Sequence, residues 1–130
     1  MSEMSDFLEL ELLDHSLGTA SWTAPTNVYL ALHSADPTDA GGGAELAVAN
    51  GYARIVMSFA AASAGVAAID TPIVFTASGA DWSACTHVGI WDASSAGNLL
   101  YHTPLDTART VLDGGTLTFA ATTGVTVTLA

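Results

Sequence analysis

His87-Val-Gly-Ile-Trp-Asp92, followed by a short turn of small residues and then Asn98-Leu-Leu-Tyr-His-Thr-Pro104, is the stretch from which the fold of this chain is read. Both runs are rich in β-branched and aromatic side chains, which suit a pleated, half-buried surface. The intervening Ala93-Ser-Ser-Ala-Gly97 is too small and flexible to continue either run. Two such runs across a short glycine-containing turn predict a β-hairpin.

Working outward, the same strand signal recurs on both sides. Val28-Tyr-Leu-Ala-Leu-His-Ser34 reads as a strand that ends in Ala35-Asp-Pro-Thr-Asp-Ala-Gly-Gly-Gly43, a loop punctuated by Asp-Pro and three glycines. Tyr52–Phe59 reads as a second strand, with Ile55, Met57 and Phe59 on one face. Ile73–Thr76 follows Pro72, a position at which a strand tolerates proline. Beyond the hairpin come Thr110–Leu112, the turn Asp113-Gly-Gly115, Thr116–Ala120 and Val125–Leu129. The last two alternate apolar residues with threonine, the period of a strand with one face buried and one wet. About seven or eight short strands with turns between them predict a mainly β fold, an antiparallel, jelly-roll-like β-sandwich. No βαβ alternation and no internal repeat is visible.

The amino-terminal segment has a different period. Phe7, Leu10, Leu13 and Leu17 recur at helical spacing, and Leu8 and Leu12 widen the stripe. Ser5 is placed to cap the first turn, where Asp6 and Glu9 favour the helix dipole, and Gly18 sits where a helix-ending glycine belongs. The expectation is one domain over residues 1–130: a helix over 5–17 and a β-sandwich over 27–130. The helix carries more apolar surface than one narrow seam, so it should be covered on more than one side. Phe7, Leu10, Leu13 and Leu17 therefore stand as candidates for an interface with a partner.

The chain has thirteen acids against two arginines, Arg54 and Arg109, for a net charge of -11 over 130 residues. That balance repels phosphate backbones and anionic membrane surfaces, so neither nucleic acid nor membrane is an expected partner. The acidity reads first as keeping an otherwise apolar chain soluble; the alternative, a docking face for a basic partner, would fall in the first fourteen residues, which hold five of the acids, Glu3, Asp6, Glu9, Glu11 and Asp14. The first residues show no basic and apolar signal segment, which predicts a chain made in a cytoplasm and left there or released by lysis. Single Cys85 can form no internal disulfide and reads as a small buried hydrophobe.

No catalytic constellation emerges, and no cofactor or metal is expected. His15, His33, His87 and His102 form no His-x-His or His-x-x-x-His pair, although His87 and His102, on the two arms of the hairpin, are expected to approach each other. Asp36, Asp39 and Glu45 lack the alternation of a calcium loop and read as a solvated turn. No nucleophile elbow or phosphate loop is present. Trp91 reads first as core or rim packing and Trp22 equally well as packing or as a partner contact, and with Tyr101 they are further candidates for a partner interface, since large aromatic rings anchor such contacts.

Four pieces of the chain resemble a family of small proteins encoded with the structural genes of tailed phages and labelled tail-fibre or minor virion proteins. They are Asp6-Phe-Leu-Glu-Leu-Glu-Leu-Leu-Asp-His15, Val28-Tyr-Leu-Ala-Leu-His-Ser-Ala-Asp-Pro-Thr38, Gly51-Tyr-Ala-Arg54, and Val88-Gly-Ile-Trp-Asp-Ala93 with Gly97-Asn-Leu-Leu-Tyr101. The resemblance implies a place in a virion and brings no catalytic residues. A long fibre shaft needs repeated strands or a sustained coiled coil, which this chain lacks. The expected role is thus a capsid decoration or cement protein on the major capsid protein or other virion proteins, as a homo-oligomer. A tail-fibre or tail-tip module is the alternative, and a carbohydrate-active or metal-dependent enzyme the outsider.

Overall fold

The computed structural model describes residues 3–129. Glu3–Met4 (β1) leads directly into a helix, Asp6–Leu17 (α1). Strands follow at Val28–His33 (β2), Ile55–Met57 (β3), Val66–Ala68 (β4), Ile73–Thr76 (β5), Cys85–Trp91 (β6), Leu99–Arg109 (β7), Thr116–Phe119 (β8) and Thr126–Thr128 (β9). Five of them form one sheet in the order β1-β7-β6-β2-β3, while β4 with β9 and β5 with β8 form two-stranded ribbons. Every pairing is antiparallel. The mainly β character and the single amino-terminal helix are as the sequence predicts. The layer facing the large sheet is divided between two ribbons.

The core lies between these layers. Leu30 and Leu32 of β2 and Val88 and Ile90 of β6 meet Ile73 and Phe75 of β5, Phe119 of β8 and Val127 of β9, all at most 9% exposed. Tyr52, Ile69, Trp82 and Val111 fill the ends from the connecting segments. Buried area of this size supplies most of the driving force for folding. Strand β2 is buried on both faces, because Ala31 and His33, pointing away from this core, are also fully covered.

Helix α1 begins as expected. The Ser5 Oγ accepts from the Leu8 N–H at 3.2 Å and donates to the Leu99 carbonyl. Gly18 ends the helix at φ +77°, a left-handed conformation that costs glycine little. Two expectations need correction. Thr110–Leu112 is not a strand; Val111 is buried, but its carbonyl accepts from the Trp82 N–H across a loop. The second hairpin arm instead continues through Pro104 to Arg109. The strand read at Tyr52–Phe59 shortens to β3, since Ile55–Met57 alone forms a continuous ladder, with β2, while Phe59 makes an isolated bridge to Ile69.

Candidate functional site

The face of the large sheet opposite the ribbons carries the polar chemistry of the molecule. Register places His33, Ala31, Gly89, Trp91 and His102 on this face, because β2 pairs Ala31 with Gly89 and β7 pairs His102 with Gly89. The loop after β2 folds back over them. His33 Nδ1 lies 3.1 Å from the Gly43 carbonyl, and the Trp91 Nε1–H points to His33 Nε2 at 3.3 Å. Nε2 therefore accepts, and the ring proton sits on Nδ1, where it is donated to Gly43. The two rings stack with centroids 6.0 Å apart. Gly89 makes this possible: a Cβ there would come within 3.0 Å of both His33 Nε2 and Trp91 Nε1.

Arg54 closes the arrangement from the other side. Its guanidinium carbon lies 4.1 Å from the centre of a Trp91 ring. Its Nε and Nη2 donate to the two carboxylate oxygens of Glu45 at 2.9 and 2.8 Å, a fork-on-fork pair. Its Nη1 donates to the carbonyls of Ala93 and Ala96 in the hairpin turn at 2.8 and 2.9 Å. Glu45 also accepts from the Tyr52 hydroxyl at 2.7 Å, and that hydroxyl accepts from the Leu32 N–H. One arginine thus ties the loop after β2, the approach to β3 and the hairpin turn together. In the sequence only Gly51-Tyr-Ala-Arg54 and the scarcity of cations point to it.

Burial sets the electrostatics of this node. Desolvation pushes the His33 imidazolium pKa below its ordinary 6.5. For Glu45, burial alone would raise the pKa, but hydrogen bonds from Arg54 and Tyr52 outweigh it and hold the carboxyl below its usual 4.5. Burial also pushes the Tyr52 hydroxyl and the Cys85 thiol up. Both His33 and Glu45 bind protons more readily unfolded than folded, so acid removes stability. The His33 contribution is complete above about pH 6.5 and fades as pH falls towards its lowered folded value. The Glu45 contribution is lost lower, as pH falls from about 4.5 through its own. Urea midpoints read at pH 7.5, 5.5 and 4 should therefore fall in that order; a level profile would show that His33 is not held neutral.

A second cluster lies at the β1 edge of the same face. His102, 4% exposed, places Nε2 2.8 Å from Asp39 and 3.9 Å from Glu3, with Nδ1 3.4 Å from Asp36. Among the described residues, Glu3, Asp39 and His102 offer three ligand atoms within 4.8 Å of one another and could hold a cation. The carboxylates are more than half exposed, and the hydrogen bond between His102 and Asp39 already gives the buried ring a partner. Sequence spacing could not reveal this cluster, because its members come from β1, a loop and β7.

The expected histidine pair does not form: His87 lies opposite His33 and Pro104, and His102 opposite Gly89 and Glu3. Nor do the three loop acids share a site, since Asp36 and Asp39 turn to His102 while Glu45 holds Arg54. The interface candidates divide by exposure. Leu10, Leu13 and Leu17 are 64%, 56% and 74% exposed, whereas Phe7, Trp22 and Tyr101 are half-buried. Trp91 takes the core position read first for it: it is buried beneath Arg54 with Ala31 and Leu99. An open cleft beside β7 and β9, lined by Leu105, Asp106, Phe119 and Val125, brings together no acid–base or nucleophilic pair. No helix among the described residues is long and apolar enough to cross a membrane.

Residues 3–128 match a family model described as podophage GP4 fiber I protein gp80. No curated protein matches the chain.

Proposed function

The chain belongs to this family of podophage fibre proteins, and from that premise we propose that it is a non-enzymatic module of the phage tail, held to neighbouring virion proteins as part of the fibre apparatus. A structural role in the virion is the family's. The reading as a tail module is supported by the word fibre in the family description, joined to a chain that has a short helix and short strands but no shaft. A chain of this kind serves as a base or a joint on which longer elements are mounted. The buried polar side chains serve the fold: His33, Arg54 and Glu45 are bonded to one another's segments, and their donors and acceptors are spent on the protein itself.

Capsid decoration is the second reading. It is favoured by the same lack of a shaft, together with the exposed leucines of α1, which suit repeated attachment to a lattice of major capsid protein. Copy number separates the two. Quantitative mass spectrometry of purified virions, with gold-labelled antibody in electron micrographs, should find few copies and label at the tail. Hundreds of copies spread over the head would overturn the tail reading in favour of decoration.

A further inference from the structure

Helix α1 has two apolar faces, and only one of them is used. Leu8, 2% exposed, packs inward, and the helix is fixed to β7 through Ser5 at its first turn. Leu10, Leu13 and Leu17 lie about 140–200° around the axis from Leu8, on the opposite side. They are the most exposed apolar residues of the helix, and they form one straight stripe at 3-4 spacing. A helix of this length is marginal in water unless a face is packed. Leaving three leucines open on its far side costs more than scattered exposed leucines would, because they are contiguous.

The surroundings of the stripe identify what covers it. Asp6, Glu9 and Asp14 are exposed beside the leucines. A second copy of this chain would bring the same acids against them, and it has little to offset the repulsion. Of its two arginines, Arg54 is spent on Glu45 inside the fold, which leaves Arg109. From the leucine stripe and its acidic border we infer that the open face of α1 docks a basic amphipathic helix belonging to another virion protein. Leucines at 3-4 spacing fit between the apolar side chains of such a helix, and lysines or arginines along its flanks meet Asp6, Glu9 and Asp14. Charge complementarity of this kind speeds encounter and rejects like-charged partners, including further copies. This assignment rests on the virion role proposed above and names the chemistry of the neighbour.

The probe is an amidated peptide of leucine and lysine, about 18 residues long so that it is helical when bound, with leucines at 3-4 spacing. A counterpart carries glutamate in place of lysine. Fluorescence anisotropy with the full chain should show binding of the lysine peptide and none of the glutamate peptide. Leu13→Asp should weaken binding by roughly tenfold although it adds a negative charge, since it removes an apolar anchor. Leu17→Asp, in the exposed last turn, should do the same and serves where Leu13→Asp fails to fold, as judged by circular dichroism. Undiminished binding by the folded variants would reduce the effect to bulk charge and overturn the inference. So would leucine-dependent self-association in sedimentation that the lysine peptide does not disrupt, because the occupant would then be a second copy. Gold labelling of virions is independent of both results: label at the tail with no peptide binding sinks this inference alone, whereas label on the head with peptide binding sinks the tail reading alone.

Discussion

Replacing Arg54 by methionine should destabilise the protein by about 3–5 kcal/mol, the range for removing one partner of a buried ion pair. The Arg54 side chain is 5% exposed, and the Glu45 side chain it meets is 22% exposed. Methionine fills much of the volume but donates nothing. The Glu45 carboxylate would keep only the Tyr52 hydroxyl, and the Ala93 and Ala96 carbonyls would lose their shared donor. Ala96 is exposed and can turn to water, so the cost falls on the half-buried Glu45 and Ala93 acceptors, whose loss of a partner is more costly than an average hydrogen bond is favourable. Lysine should restore little, because a point charge cannot reproduce the fork on Glu45 while also lying flat over Trp91. Removing the orphaned charge as well, in Arg54→Met with Glu45→Gln, should recover part of the loss. Urea unfolding followed by tryptophan emission measures all three. A loss under about 1 kcal/mol for Arg54→Met would put the pair in the class of surface salt bridges and deny it a part in holding the hairpin turn.

What could be read from the sequence was what has a period. The helix with both of its caps, β5, β8 and the two arms of the hairpin follow from spacing and turn residues. Glu3–Met4 and Val66–Ala68 could not be read in that way, because strands of two and three residues are too short to alternate. They exist through their partners, His102 and Tyr101 for one and Thr126–Thr128 for the other. Val111 misled for the converse reason: an apolar residue among threonine and leucine looks like a strand, yet it is buried against Trp82 without a ladder. The site residues were the least legible. His33, Arg54 and Trp91 stand far apart in the chain, and only the pairing of β2 with β6 and the return of the loop over Gly43 bring them together. The exposed leucines of α1 were legible as an excess, since a helix that packs one face has no use for a second. Which leucines would stay open depended on the single anchor at Leu8.

The other large effect is expected at Phe75, where alanine should cost about 3–5 kcal/mol by the usual scale for a buried aromatic ring. Phe75 is 2% exposed and meets three other rings, Tyr52 at 6.1 Å, Trp82 at 6.5 Å and Phe119 at 6.2 Å between centroids. It belongs to the β5–β8 ribbon, which shares no ladder with the large sheet and meets it through the common core. A two-stranded ribbon is marginal alone and depends on such packing. Alanine would leave a void lined by three rigid aromatic rings, which cannot collapse into it as flexible aliphatic chains could. Phe75→Leu retains most of the volume and should cost less than half as much. Because Tyr52 links the aromatic cluster to Glu45 and so to Arg54, the two largest effects should not simply add. The Phe75→Ala, Arg54→Met double variant should lose less stability than the sum of the single losses, provided it still folds. Strict additivity would show that the ribbon and the arginine node are held independently, with Tyr52 carrying no strain between them.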